Sequence, residues 1–329
     1  MPAPSQGLTL LSPLDLPLRR GFSFVRSIAF RLLARRIRRV LEDWQSKSFV
    51  YLVYHPEGVR VLESLDPAVV AYDCVDDLVT QPHIASRPRL ARALLASESR
   101  LIERADLVFA TSPALAARLV RVNPRTHLIT NVADFDHFST LRPEPPGLKD
   151  IPRPRAAYAG ALDPYKLDYS LIEGLLTDLP DLHLVLIGPA CTAGPNPALN
   201  ALESHPRVHH LGVVEYQALP GYLQAMDVLI MPYVLSDHTR HIFPLKTFEY
   251  LATGRPVVSS PLEALGPLGP AISLCDHRES WSLSIRRAIQ KPEEGRESRQ
   301  ELARRNTWDE RVSRIEALLE TALTGGVSP

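Results

Sequence analysis

The sequence predicts an α/β protein made of two doubly wound parallel-sheet domains that face each other across a cleft. Three observations lead there. Short apolar, β-branched runs alternate with amphipathic helical stretches along most of the chain. A proline-rich stretch from Leu141 to Pro154 divides that alternation in two. The 329 residues also exceed what one core comfortably uses, so two units of roughly 150 residues are expected.

Taken in order, Met1 to Pro17 carries four prolines and little pattern, and is expected to be a loop or ragged end. Phe22 to Trp44 is a helix candidate. Phe24, Ile28, Leu32, Ile37 and Leu41 form its apolar stripe, and Arg26, Arg31, Arg35, Arg36, Arg38 and Arg39 crowd the other faces, with Arg19 and Arg20 upstream. Such a helix either lies on an anionic membrane or packs its stripe on a sheet; the segment 19–39 is the candidate for peripheral membrane contact. Strand candidates follow at Phe49–Tyr54, Val69–Tyr72, Leu107–Ala110 and His127–Thr130, with helices over Arg89–Arg104 and from Ser112-Pro113 onward, where Ser caps and Pro suits the first helical position. Asp73, Asp76 and Asp77 stand at the end of the second strand. Three acids at the mouth of a sheet repel one another and can raise one pKa, as a general base requires; the plainer reading is that Asp76 or Asp77 caps the following turn.

Beyond the prolines the alternation resumes. Strands are expected at Ala156–Ala159, Leu182–Ile187, Val208–Leu211, Asp227–Met231 and Val257–Ser259, with helices over Leu171–Leu176 and Leu219–Ala225. A long helical pattern from Glu297 to Leu323, interrupted near Asn306, closes the chain at Gly325. The expected division is a first domain over residues 1–147, a second over 148–305, and a final helix over 306–329.

Composition narrows the function classes. Lysine plus arginine balance aspartate plus glutamate at 37 each, which removes any general attraction to nucleic acid. The three cysteines, Cys74, Cys191 and Cys275, have no paired spacing, which argues against a zinc site or a disulfide framework and fits a reducing compartment. No apolar run approaches about 18 residues, and the N-terminus lacks a signal-peptide layout, so a cytoplasmic protein is expected.

The densest signal is Pro244 to Val258, PLKTFEYLATGRPVV. Leu245, Phe248 and Ala252 recur at helical spacing and are expected to face a core, while Lys246 and Glu249 share the opposite face. Pro244 suits the first helical position and Gly254 the C-terminal turn. Lying between two strand candidates, this helix completes a right-handed βαβ unit and presents its N-terminus at the C-terminal ends of the strands, where ligands bind in open α/β sheets. One reading has Lys246 on a phosphate and Glu249 on ribose hydroxyls; the other is an exposed ion pair worth about 0.2–0.5 kcal/mol.

The motif order resembles a family. YAGALD (Tyr158–Asp163), LVLIGP (Leu184–Pro189), HHLGVV (His209–Val214), DVLIMPY (Asp227–Tyr233) and PLKTFEYLATGRPVV, preceded by YDCVDD, ADLVFATSPALAARL and NVADFDHF, are similar in content and order to the group 1 nucleotide-sugar-dependent glycosyltransferases of fold type B, and in particular to those that build bacterial cell-surface polysaccharides. The resemblance implies transfer of a sugar from a nucleoside diphosphate donor to a hydroxyl of a glycan or lipid-linked acceptor, without a metal or other cofactor. The Arg-rich segment 19–39 adds the inner face of the cytoplasmic membrane as a candidate location for this cytoplasmic chain. The resemblance also implies that Glu249 binds ribose, that Lys246 and Lys166 lie at the diphosphate, that Gly160 lets backbone approach it, that Pro244 and Leu245 also belong to the donor site, that Val213 or Val214 contacts the base, and that Asp76, with Asp77 beside it, serves as catalytic base. His241 stands where the family often has a sugar-binding Glu, and Ala161 where it has a phosphate-binding Arg, so Arg240 is a further candidate for the charge. The family's opening strand and acceptor loop have no counterpart, so a shortened first domain is expected. If the product inverts, Asp76 takes the acceptor proton; if configuration is retained, the leaving phosphate can take it. The rival readings are an epimerase or hydrolase on the same scaffold, and a degenerate binding homologue that has lost turnover.

Overall fold

A computed structural model describes residues 9, 11, 23–46, 48–190 and 195–325. Arg19, Arg20 and Cys191, and the side chains of Phe24 and Arg26, lie outside what is described.

Among the described residues, ten strands form two all-parallel sheets. The first contains β1 (Val50–Val53), β2 (Val69–Cys74), β3 (Leu107–Ala110) and β4 (Thr126–Leu128), in that spatial order. The second contains β5 (Arg155–Ala159), β6 (His183–Ile187), β7 (Val208–His210), β8 (Val228–Met231), β9 (Val257–Ser259) and β10 (Ser273–Leu274), in the order β10-β9-β8-β5-β6-β7. Counted from β5, that is the 3-2-1-4-5-6 order of a dinucleotide-binding fold, with its reversal between β5 and β8. The expected α/β class with two parallel sheets is borne out; the doubly wound order of Rossmann type appears in the second sheet, while the first runs in chain order without a reversal.

A parallel sheet buries both faces, so each strand splits its residues between two cores. In the second sheet Ala157, Val185, Ile187, Leu229 and Met231 face one core, and Ala156, Tyr158, Leu184, Leu186 and Ile230 face the other. In the first, Val70, Tyr72, Val108 and Ala110 pack with Leu101, Ile102, Leu115 and Leu119 of the helices that follow β2 and β3. Its opposite face, Ala71, Leu107, Phe109 and Ile129, is covered by Ile315, Leu318, Leu319 and Ala322 from the Trp308–Leu323 helix at the far end of the chain. That helix fills the face that local connections leave bare.

Three expectations change. Strand β2 continues through Asp73 and Cys74, so Asp73 is wholly buried rather than part of an exposed acidic mouth. The proline-rich stretch is not a free hinge: Leu148 and Ile151 are buried in the second core, and the Arg155 guanidinium donates to the Leu148 carbonyl at 2.7 Å and to that of Ile151. The basic helix, Ser23–Asp43, buries Ala29 and Ala34 and packs on the Val59–Leu62 turn, not on a sheet; Arg38 donates to the Ser64 carbonyl at 2.6 and 3.1 Å. Arg31, Arg35, Arg36, Arg38 and Arg39 are exposed.

Candidate functional site

The strand-order reversal leaves a gap above the ends of β5 and β8, and a cleft of about 830 Å³ opens there. Its floor comes from the second domain. Gly160 follows β5 and Gly188 follows β6, both with positive φ, and the Gly160 N–H donates to the Ile187 carbonyl at 2.8 Å. A Cβ on Gly188 would stand 2.2 Å from the Gly160 carbonyl oxygen, so no larger residue fits while the two turns are stacked. A Cβ on Gly160 would meet Lys246 Nζ at 2.9 Å. The glycine turn and the lysine therefore bound the same small space.

Lys246 begins the Lys246–Ala252 helix. Its Nζ donates to the hydroxyls of Tyr158 and Tyr233, each at 3.0 Å, and stands 4.2 Å from the centre of the Tyr158 ring. Burial opposes its charge, yet the oxygens of Tyr158 and Tyr233 outweigh burial and hold its pKa above that of a free lysine. It is a fixed cation in the cleft. Glu249, one turn on, lines the same wall; burial raises its pKa, and Lys246 and His137 only partly offset this. The hydrogen bonds of Lys246 Nζ go to the two tyrosines rather than to Glu249, on which its charge still acts. Lys166, Val213 and Val214 also line the cleft, with Val213 73% exposed. Pro244 lines it from just before the helix rather than from its first position, and Leu245, expected in a core, is 53% exposed on the cleft wall.

The opposite wall combines the first domain with the crossing helix. Tyr54 follows β1 and, by the register that pairs Val53 with Tyr72, stands beside Asp73. Asp76 lines the cleft; its Oδ2 accepts from Gln81 Nε2 at 2.8 Å, while Oδ1 has no partner. Asp77 does not reach the cleft. It is buried beside Arg118 at 4.0 Å and His241 at 3.7 Å, and it caps nothing with its side chain. The expected mutual repulsion of three acids is absent because they diverge: Asp73 pairs with Arg311, Asp76 faces the cleft, and Asp77 faces Arg118. The carboxyl pushed up is Asp73, by burial, against the opposing pull of Arg311.

His241 also lies off the cleft. Its Nδ1 is 2.7 Å from the Asp237 carbonyl, and its own carbonyl accepts from Ser112 Oγ at 2.8 Å, which ties the two domains together. Arg240 is exposed outside the cleft and does not supply the missing charge. Sequence reasoning missed Tyr158, Tyr233 and Gly188 on the donor wall, Tyr54, Trp308 and Arg311 opposite, and His238 at the interface. The two tyrosines stand at or just past strand ends, as does Gly188, and that position was the available signal. No helix among the described residues is long and apolar enough to cross a membrane.

Residues 153–273 match the model of a family described as "Glycosyl transferases group 1". The chain is 31% identical over 206 residues to the putative teichuronic acid biosynthesis glycosyltransferase TuaH of Bacillus subtilis (strain 168), a match that covers 59% of this chain and 50% of that protein. It thus spans about half the length of this curated relative. Among solved structures, Anabaena Alr3699/HepE in complex with UDP superposes with a TM-score of 0.69 at 17% identity, covering 88% of this chain and 82% of that one. A glycosyltransferase from Rickettsia africae ESF-5 gives 0.70 at 11% identity, covering 96% and 84%. At such identities the likeness is one of fold, the two-domain glycosyltransferase fold of type B. The resemblance to group 1 glycosyltransferases read from the motif order is borne out by these matches.

Proposed function

We propose that this protein is a glycosyltransferase that moves a sugar from a nucleoside diphosphate sugar to an acceptor hydroxyl. The observation that carries the reading is the convergence of Lys246, Glu249 and the stacked turns at Gly160 and Gly188 on one cleft at the strand-order reversal. In this reading Glu249 accepts hydrogen bonds from the ribose, Val213 and Val214 flank the base, and Lys246 with Lys166 faces the diphosphate.

Transfer breaks the bond between the anomeric carbon and the diphosphate oxygen and forms one to the acceptor oxygen. Negative charge grows on the leaving diphosphate, and a cation already fixed by two tyrosines needs no reorganisation to meet it. Asp76, which lines the same cleft, is the base for an inverting transfer. With configuration retained, the leaving phosphate takes the proton and Asp76 positions the acceptor. No cofactor beyond the donor enters this scheme.

The name of the Bacillus relative supports a place in cell-envelope polysaccharide synthesis. A location at the inner face of the cytoplasmic membrane is part of the same proposal, with the five exposed arginines from Arg31 to Arg39 as the contact. Unchanged binding to anionic vesicles after Arg35, Arg36 and Arg39 are replaced by Glu would remove that contact.

Calorimetry with UDP, GDP and dTDP tests the donor site. One nucleotide should bind, and Glu249→Ala should weaken it at least about tenfold, since a hydrogen bond to a charged group contributes about 1.5–3 kcal/mol. Failure of all three to bind folded protein would sink the proposal.

A further inference from the structure

We infer that the wall opposite the donor site is a subsite for an uncharged saccharide, with Trp308 and Tyr54 as its aromatic surfaces. The inference rests on the transferase reading and names the acceptor class. Both rings line the cleft, and both keep about half their surface open, 47% for Trp308 and 55% for Tyr54. Large aromatics left open inside a cleft, on a wall remote from the nucleotide side chains, are surfaces for a ligand that has an apolar face. A pyranose ring has one.

The backbone that carries each ring is held in place. Thr307 caps the crossing helix by accepting from the Glu310 N–H at 3.3 Å, and the Ala133 N–H donates to the Asn306 carbonyl at 3.2 Å, which pins the chain just before Trp308. Arg311, three residues on and thus on the same side of the helix, is anchored to the first domain through Asp73 and the Thr130 carbonyl. Tyr54 follows directly on β1.

Charge decides the kind of saccharide. Arg311 is the one cation on this wall among the described residues, and it is spent on Asp73 at 2.6 Å. Asp76 remains on this wall, its Oδ2 accepting from Gln81 Nε2 and its Oδ1 unpartnered but shut off from solvent. A uronate or phosphate on the acceptor would find no cation here and would face the Asp76 carboxylate, a repulsion that a neutral saccharide does not meet.

Saturation-transfer NMR on the full chain tests this, with the methyl glycosides of glucose, galactose, mannose and N-acetylglucosamine as neutral probes and methyl glucuronide and galacturonide as charged ones. At least one neutral glycoside should receive saturation. The signal should fall at least fivefold in Trp308→Ala and in Tyr54→Ala and return in Trp308→Phe, and the glycuronides should stay silent. Neutral glycosides that give no signal, signals unchanged in both alanine variants, or glycuronides that bind as well as the neutral probes would each overturn the inference. Nucleotide affinity, measured by calorimetry on the same samples, separates the two readings. Its retention within twofold alongside silent glycosides rejects only the saccharide subsite, and its absence rejects the donor reading while the glycoside signal still decides this one.

Discussion

Arg311 donates to Asp73 Oδ2 at 2.6 Å, joining the last helix of the chain to the end of β2, and both side chains are more than nine-tenths buried. The same guanidinium donates to the carbonyls of Ile129 and Thr130. One side chain thus fastens the crossing helix to two neighbouring parts of the first domain.

Removal of one partner strands a buried charge. Arg311→Met should destabilise the protein by about 3–5 kcal/mol, whereas Asp73→Leu combined with Arg311→Met should recover most of that loss. Urea unfolding of the two variants measures this; a double variant as unstable as the single one would show that the pair is not what holds the helix.

The two glycine turns should respond differently to the same change. Gly188→Ala drives a Cβ into backbone 2.2 Å away, while Gly160→Ala meets the movable end of Lys246 at 2.9 Å. Both positions also have positive φ, a strain of order 1–3 kcal/mol for alanine. We expect Gly188→Ala to lower the melting temperature more, and Gly160→Ala to act mainly on nucleotide affinity by displacing Lys246. Equal effects on both readouts would contradict the stacked-turn geometry.

Glu249 should trade stability against binding. Its pKa is raised by burial, so the folded protein holds that proton at a pH where the unfolded chain has released it. Stability therefore falls as pH rises from the ordinary glutamate range through the raised value. Glu249→Gln should make the nucleotide-free protein more stable at neutral pH, weaken nucleotide binding, and remove the part of the affinity that wild type loses on acidification. Thermal melts and calorimetry between pH 5 and about 8 check all three.

His238 belongs to the second domain but meets Thr80 of the first, with 3.1 Å between Nδ1 and the hydroxyl oxygen. Thr80 already donates to the Asp77 carbonyl at 2.7 Å, so the imidazole is the donor and its bare Nε2 is left without a partner. Burial lowers the His238 pKa; Asp76 and Asp77 pull the other way, Lys166 and His241 with burial. An unfolded chain therefore takes up this proton first, and stability falls as pH drops below the ordinary histidine value. The difference in melting temperature between wild type and His238→Gln should narrow on acidification; a constant difference from pH 8 to about 5 would remove His238 from that dependence.

Periodicity and punctuation set most of the fold. The strand runs at Leu107–Ala110 and Val257–Ser259 coincide with the observed strands, and the Ser112 cap and the turn at Gly254 stand where local chemistry requires them. These are short-range effects, visible in a few neighbouring residues. The sequence by itself also determined that Lys246 and Glu249 share a helix face beside a glycine turn, because spacing of three is a property of the helix. It could not determine what Lys246 touches. Tyr158 and Tyr233 reach it from two strands that become neighbours of the site only when β8 inserts beside β5. Nor could it separate Asp73, Asp76 and Asp77, which are neighbours in the chain. The pleat and the crossing helix gave one to Arg311, one to the cleft and one to Arg118, and burial with pairing, which exist only once the sheets are covered, assigned each its chemistry.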